Sequence, residues 1–377
     1  MRRRPLKRLE VILTLYWKNG KYDLTLLWAL FGPVFYVFTR FFMFIDKLFY
    51  PEVRQAVVKQ PVFIIGHPRS GTSFFQKQVY SSGKVASFTT FDILFPSIVQ
   101  RKLFKPLLGL LRQLGIEILQ GGDRGHEIRL DGVEEDEALF LHRLDSEIVT
   151  FICPWILTTD EYMDMGLTLG WNDTTGGKAS LTFYRECLKR HIMYTGKQQI
   201  VAKCNPSVFR IKQLLHFFPD AKFVYMVRSP HKSIQSHLAF SHRFIGPLLT
   251  SEEQKLFFRN KYQWSVELYR YFEQVKEHIP ANQLLIIPFE EVKDNLLSSL
   301  ERFFAFAGIV PSQAFWHQYK IQYNGNHRKK HSNAPLERFG ITRNQVKRDL
   351  GFVRRRYLRR PRLGKTGRKA FLAGGNQ

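Results

Sequence analysis

Residues 61–73 read Pro-Val-Phe-Ile-Ile-Gly66-His-Pro-Arg69-Ser70-Gly71-Thr72-Ser73, an apolar run ending in a turn of small residues that opens a helix. A buried strand, a glycine-bounded loop and a helix N-terminus in that order form an anion cradle. Backbone N–H groups and the positive end of the helix dipole converge there, and glycine lets the backbone approach the ligand. This unit commits the chain to an α/β fold. Gly66, Gly71 and Ser73 fit the nucleotide-hydrolase pattern G-x-x-x-x-G-K-[ST], but Thr72 stands where that pattern has lysine. The positive charge sits earlier, on Arg69. Such a loop suits a phosphate-like group and does not suit Mg-ATP handled in the usual way.

Four short runs rich in β-branched or aromatic residues have the length and boundaries of buried strands: Val62–Ile65, Ile200–Lys203, Phe223–Val227 and Leu284–Pro288. Helical stretches are expected at Thr72–Tyr80, Val208–Phe218, Lys232–Ala239, Ser251–His278 and Asn295–Ala307. Ser251 is the expected N-cap of its helix, with two glutamates in the first turn. The alternation predicts a mostly parallel central sheet flanked by helices, a P-loop-like nucleotide-binding core, preceded by an N-terminal aromatic helical segment. Three regions are expected: a basic, aromatic segment at 1–58, an α/β domain at 59–349 and a basic tail at 350–377.

The chain of 377 residues carries a formal charge of +25, which favours anionic partners. Nine Lys or Arg residues and no acid lie in 354–369, a run suited to anionic lipid or to plain solvation; nucleic acid is not favoured as the partner. Cys153, Cys187 and Cys204 show no metal spacing and fit a reducing compartment. Residues 24–39 form a 16-residue uncharged core containing Gly32-Pro33, shorter than the roughly 20 residues of a spanning helix. No small-residue cleavage site follows it, which argues against a secretory signal. With Arg2, Arg3, Arg4, Lys7, Arg8, Trp17 and Trp28 nearby, the segment reads either as an interfacial membrane element or as an aromatic helix pair packed on the domain. The expected location is cytoplasmic, peripheral on a membrane, with a Golgi-type anchor less favoured. Asn172-Asp173-Thr174 matches a glycosylation sequon, a triplet that arises often by chance.

A second anion loop is expected at the end of the Phe223–Val227 strand, where Arg228 is delivered at the carboxyl edge of the sheet and Ser236 follows eight residues on. A guanidinium fork and a hydroxyl can share one phosphate. The pair P-R-S-G-T-S and R-x-P-x-x-x-x-x-S resembles the sulfotransferase superfamily, whose donor is 3′-phosphoadenosine 5′-phosphosulfate. The resemblance implies that Arg69, Ser70, Gly71, Thr72 and Ser73 hold the 5′-phosphosulfate, that Arg228 and Ser236 hold the 3′-phosphate, and that Phe74 lies against adenine. Further segments are similar to the bacterial-type members: the acidic run Asp131–Glu137, Lys203-Cys204-Asn205-Pro206, Phe289-Glu290-Glu291 with phenylalanine in place of tyrosine, and loosely the basic stretch His331–Gly340. The likeness spans 62–349.

Sulfuryl transfer asks for positioning and for positive charge at the departing phosphate, which Arg69 and the loop N–H groups supply, with Lys203 adding charge near the bridging oxygen. No metal is expected. The reaction also needs a base for the acceptor proton. The segment Thr89–Pro96 resembles a T-x-W-E-x-x-x-P element with aspartate for glutamate, so Asp92 is the first candidate, Glu135 the second and His126 the third. The acceptor is expected to be a small or lipid-like molecule, with carbohydrate as competitor. A P-loop kinase or hydrolase, and a non-enzymatic basic membrane or nucleic-acid binder, are the alternatives.

Overall fold

The structure, a computed structural model, describes residues 4–114, 121–123, 126–168, 175–323 and 334–358. The Asn172 sequon, residues 331–333 of the basic stretch and the tail beyond Leu358 lie outside them. The chain opens with two helices, α1 (Arg4–Lys18) and α2 (Tyr22–Phe49), and then enters the sheet at β1 (Val62–Gly66). Next come α3 (Thr72–Tyr80), α4 (Thr90–Leu94), α5 (Ile98–Gln113) and a small hairpin, β2 (Gly121–Asp123) with β3 (His126–Ile128). Short α6 (Val149–Ile152) and α7 (Asp160–Leu167) lead to the long α8 (Thr175–Thr195). The second half runs β4 (Val201–Lys203), α9 (Ile211–Phe217), β5 (Lys222–Val227), α10 (Pro230–Ile245), α11 (Ser251–Val275) and β6 (Leu284–Pro288). It closes with α12 (Phe289–Asp294), α13 (Leu296–Ala307), α14 (Gln313–Tyr323) and α15 (Arg343–Tyr357).

The four expected strands form one sheet in the order β4-β1-β5-β6, with every pair parallel. Successive side chains in a strand point to opposite faces, so a sheet covered on both sides is apolar at every position. All five residues of β1 are buried. Phe63 and Ile65 join Phe223, Tyr225 and Val227 on one face, under α8, α10 and α11. Val62 and Ile64 join Val224, Met226 and Ile287 on the other, against α3 and α13. Parallel strands deliver their carboxyl ends to one edge, so the residues after β1, β4 and β5 meet there.

Two local expectations are corrected. The N-cap of α11 is Thr250: its hydroxyl accepts from the Glu253 amide, and the Glu253 carboxylate reaches back to the Thr250 N–H. Glu253, three residues after Thr250, closes the reciprocal box, whereas Gln254, three after Ser251, donates instead to the Gly246 and Leu249 carbonyls. The stretch expected as one helix from Val208 begins as a 3₁₀ turn through Arg210 and becomes α-helical only at Ile211.

The N-terminal segment is a helix pair packed on the domain. Ile12, Leu15 and Tyr16 of α1 enter the main core. The second helix is longer than its uncharged stretch, because Arg40 folds over the Phe183 and Tyr36 rings and Asp46 turns inward. Asp46 is fully buried and accepts from Arg190 Nε at 2.8 Å, Ser97 Oγ at 2.8 Å and the amides of Ile98 and Val99 at 3.2 and 2.9 Å. One carboxylate thus joins α2 to α8 and satisfies amides at the N-terminus of α5, where an anion is also favoured by the helix dipole.

Candidate active site

The loop after β1 takes a path that its residues alone explain in part. Gly66 has φ +147°, and a Cβ there would stand 2.3 Å from the Met226 carbonyl oxygen of the neighbouring strand. Gly71, the cap of α3, has φ +90°, and its Cβ would meet the Phe289 ring at 2.3 Å. Arg69, though not glycine, also sits at positive φ, +69°. Left-handed conformations of such residues cost energy and concentrate where a loop must present groups to a ligand.

Arg69, Arg228 and Ser236 are brought together. Arg69 Nε donates to Ser236 Oγ at 3.2 Å, and Arg228 donates to the Arg69 carbonyl at 2.9 Å. The Arg69 guanidinium lies over the Phe240 ring, and that of Arg228 over Phe289. Arg69 is depressed below the usual arginine range by burial, then by the charges of Arg243 and Arg228. Arg228 is depressed by burial, partly offset by Glu290 and Tyr269. Its Nε is buried and has no hydrogen-bond partner among the described residues. Crowded cations and an orphaned guanidinium N–H next to a helix N-terminus fit an anionic ligand such as a phosphate.

Lys203, at the end of β4, lies beside the loop. It is buried, donates to Ser73 Oγ at 2.7 Å and approaches Glu135 at 3.4 Å and Glu134 at 3.9 Å. Four acids stand in a row, and burial sorts them. Asp136 and Glu137 face inward, Asp136 accepting from the Lys203 amide and Glu137 from Ser207 and Arg210. Burial pushes both of their carboxyls up. Glu134 and Glu135 are the half-buried pair that reaches Lys203. Glu135 is further held by the Asn205 amide at 2.9 Å and by Asn205 Nδ2.

Asp92 lies elsewhere in contact terms. It is the third residue of α4, and its Oδ2 accepts from the Thr89 amide and hydroxyl while Oδ1 faces Arg101 Nε at 3.4 Å. Burial alone would raise its carboxyl, but Arg101, His191 and the Thr89 hydrogen bonds outweigh it and hold Asp92 below the usual range. Both oxygens serve the capping box and the buried Arg101, and no contact joins Asp92 to Lys203 or Ser73 among the described residues. His126 stands on the β3 strand of the hairpin. Phe74 is half-buried and packs on the core cluster beneath α3.

Next to this polar centre is an apolar cavity of about 790 Å³. Leu9, Trp28, Phe31 and Tyr36 of the N-terminal pair form one wall, and Ile93 and Leu141 belong to the domain side. Glu134 is the one carboxylate among the described residues lining it. His142, also in the lining, is neutral: burial lowers it to about 4, its Nε2–H donates to the Ile93 carbonyl and its Nδ1 accepts from Thr39. Sequence reasoning named Glu134 only within an acidic run and Phe289 only as a departure from a motif, and it did not foresee this cavity. The cavity had a signal, the aromatic N-terminus, but its partner residues lie roughly a hundred positions away.

Comparison with known proteins identifies the family. A profile described as the sulfotransferase family matches residues 61–312, two thirds of the chain. A Mycobacterium bovis protein named omega-hydroxy-beta-dihydromenaquinone-9 sulfotransferase Stf3 is 23% identical over 293 residues, covering 74% of this chain and 70% of its own. The crystal structure of sulfotransferase STF1 from Mycobacterium tuberculosis superposes with a TM-score of 0.68 at 15% identity, covering 92% of each chain. That of STF9 from Mycobacterium avium gives 0.65 at 17% identity, covering 83% of this chain and 80% of that one. These two share the fold.

Proposed function

The chain belongs to the sulfotransferase family, and from that premise we propose that its donor is 3′-phosphoadenosine 5′-phosphosulfate and its acceptor the hydroxyl of a lipid-like molecule. The observation that carries the acceptor is the position of Glu134, a carboxylate lining an apolar cavity and, through Lys203, linked to the phosphate loop. Arg69, Ser70, Gly71, Thr72 and Ser73 would hold the 5′ side of the donor, Arg228 and Ser236 its 3′-phosphate, and Phe74 would border the adenine.

When bound, the donor supplies a sulfuryl group whose transfer breaks the S–O bond to the phosphate as the acceptor oxygen bonds to sulfur. Lys203 and the loop amides stabilise the charge left on that phosphate. The carboxylate of Glu134 takes the hydroxyl proton, and Glu135, fixed by Asn205, holds Lys203 in place. This moves the base from Asp92, whose oxygens are occupied, to the acidic run. The Mycobacterium bovis relative is named for an omega-hydroxy dihydromenaquinone, and an acceptor of that lipid-like kind suits the cavity. The expected setting is the cytoplasmic face of a membrane.

Sulfate transfer measured in EDTA tests the reading. Transfer from the phosphosulfate donor to primary alcohols is expected, with kcat/KM rising about fourfold per added methylene until the cavity is filled. Thermal stabilisation by adenosine 3′,5′-bisphosphate without metal should accompany it and vanish in Arg228→Ala. Transfer to sugars but not alcohols would overturn the acceptor, and stabilisation by Mg-ATP alone would overturn the donor.

A further inference from the structure

On the outer side of α2, every exposed residue from Leu26 to Phe44 is apolar: Leu26, Leu27, Ala29, Leu30, Phe31, Val34, Val37, Phe41 and Phe44. Several are more than half exposed, Phe31 at 66% and Val34 at 64%. At 1.5 Å per residue the stripe is roughly 27 Å long. A helix turned to water carries charge on its outer face, and this one carries none over that length. Beside it α5, whose Phe104 ring packs on Phe38 and Phe42, adds exposed Leu103, Leu107 and Leu110. Scattered exposed apolar residues are ordinary, but a contiguous field of this size marks an interaction surface.

Three observations on the same face select a lipid bilayer as its occupant. First, the stripe is continuous with the cavity: Leu27, Phe31 and Val37 are exposed on the outside and also line the inside. An apolar chain lying in the contacted phase therefore meets the cavity mouth without crossing water. Second, the field is bordered by cations, the exposed Lys102 and Lys105 on α5, in a chain of formal charge +25. Basic residues around an apolar face suit an anionic lipid surface. Third, α2 is long and apolar enough to cross a bilayer, with a mean hydropathy of 1.6 over its best window, yet its inner side is committed to the domain. Thr39, Met43 and Asp46 are buried, and the Asp46–Arg190 pair fixes the helix to α8. A helix held to the domain at Thr39, Met43 and Asp46 is placed to lie on a membrane and not to cross it.

We infer that the outer face of α2 and α5 seats the enzyme flat on an anionic phospholipid bilayer, with the cavity mouth opening into the acyl layer. The inference rests on the lipid-acceptor reading only for its purpose; the docking itself is independent of turnover. It also changes what the acceptor must do, since a membrane-dissolved alcohol would enter sideways from the bilayer.

Flotation of the full chain with sealed vesicles of phosphatidylcholine, with and without phosphatidylglycerol, tests it. The wild type should float with both and more strongly with the anionic mixture. The variant Leu30→Glu/Val34→Glu/Phe41→Glu, whose positions lie outside the cavity lining, should lose at least about tenfold in vesicle affinity. Its turnover of a short soluble alcohol should stay within about twofold of wild type, which also shows that it is folded. Single Leu30→Glu, read in parallel, should give an intermediate loss. Failure of the wild type to float would overturn the inference. So would a wild-type dimer in light scattering that the variant converts to monomer, because a second copy would then cover the face. Flotation without sulfation of long alcohols would instead fault the acceptor assignment and leave the docking intact.

Discussion

The Lys203 ammonium donates to Ser73 Oγ at 2.7 Å, tying the end of β4 to the first turn of α3. The same ammonium meets Glu135 at 3.4 Å, so one cation faces both the phosphate loop and the acidic run. If its task is to meet charge that develops on the departing phosphate, its removal acts on turnover more than on binding. Lys203→Met is expected to lower kcat about 10²–10³-fold while the affinity for adenosine 3′,5′-bisphosphate changes only a few-fold. Steady-state kinetics and calorimetric titration separate the two. An unchanged kcat with weakened bisphosphate binding would make Lys203 a donor ligand only.

The acids at 134 and 135 should behave differently despite their adjacency. Glu134→Gln keeps the shape of the cavity and removes the proton acceptor, so kcat should fall about 10²–10⁴-fold and the acidic limb of its pH profile should flatten. Glu135→Gln retains an acceptor oxygen for the Asn205 amide and should cost less. Asp92→Asn should leave kcat nearly unchanged and lower the melting temperature, since it weakens the α4 capping box and leaves Arg101 short of its counter-charge. A large loss of kcat in Asp92→Asn, with Glu134→Gln active, would return the base to the first sequence candidate.

Gly71 and Phe289 lie 218 positions apart and touch in the fold. Gly71→Ala combines a positive φ with a Cβ placed 2.3 Å from the Phe289 ring, so it should destabilise by about 1–3 kcal/mol and shift the loop away from its anion-binding shape. Phe289→Leu alone should be milder, costing the Arg228 guanidinium its ring. Combining the two should recover the steric part and not the backbone part, leaving the double variant less stable than Phe289→Leu. Denaturant unfolding of the four proteins gives the coupling; strict additivity would mean the ring is not the obstacle.

Much of this arrangement was legible because it is encoded locally. The four strands are unbroken apolar runs with turn residues at each end, and the two anion loops follow their strands within a few residues. Arg69, Arg228 and Ser236 therefore emerged from spacing and resemblance, and the sheet order brings them together. The acidic run shows what local reading misses. Which of Glu134, Glu135, Asp136 and Glu137 faces the site depends on Lys203, Ser207 and Arg210, about seventy residues on, and charge alone does not rank them. Asp92 was attractive by motif and is tied up by Thr89, three residues away, and by Arg101. The N-terminal segment announced an apolar surface, but its role as a cavity wall depends on α4 and the 3₁₀ turn at Asp136–Arg143, which no periodicity in α2 reveals.

Asp46 should be among the least replaceable residues outside the site. Asp46→Ala removes the buried one of the two carboxylates that pair with the Arg190 guanidinium and orphans two amides at the start of α5. Loss of about 3–5 kcal/mol is expected, because the buried Arg190 guanidinium then keeps only the half-buried Glu186 as counter-charge and the amides of α5 lose their acceptor. A double variant, Asp46→Leu/Arg190→Met, should regain part of that stability by removing both charges together. Chemical unfolding of the three proteins decides it, and a cost below about 1 kcal/mol for Asp46→Ala would show that water reaches the pair.

Acid should loosen the fold well before the carboxylates titrate freely, because several histidines are buried in neutral form. Burial lowers His67 and His191 to about 3 and His142 to about 4, and pushes His237 far down as well. The hydrogen bonds agree: Arg101 donates to His191 Nδ1 at 3.0 Å, which only a neutral ring accepts. Above an unfolded pKa near 6.5 neither state binds a proton at these rings, and they leave stability independent of pH. Below it the unfolded chain takes up protons that the folded chain refuses. Stability then falls with pH, by up to about 1.4 kcal/mol per unit for each histidine, until the folded values near 4 and 3 are reached. Asp136 and Glu137 act in the opposite sense, since burial raises them and protonation favours the fold, but they are two groups against four. The melting temperature is therefore expected to drop steeply from pH 6.5 to 5, with proton uptake on unfolding in calorimetry across buffers of different ionisation enthalpy. His191→Gln, which still presents an acceptor to Arg101, should flatten the slope by about one proton. A melting temperature level across that window would mean that the histidines are protonated in the folded enzyme.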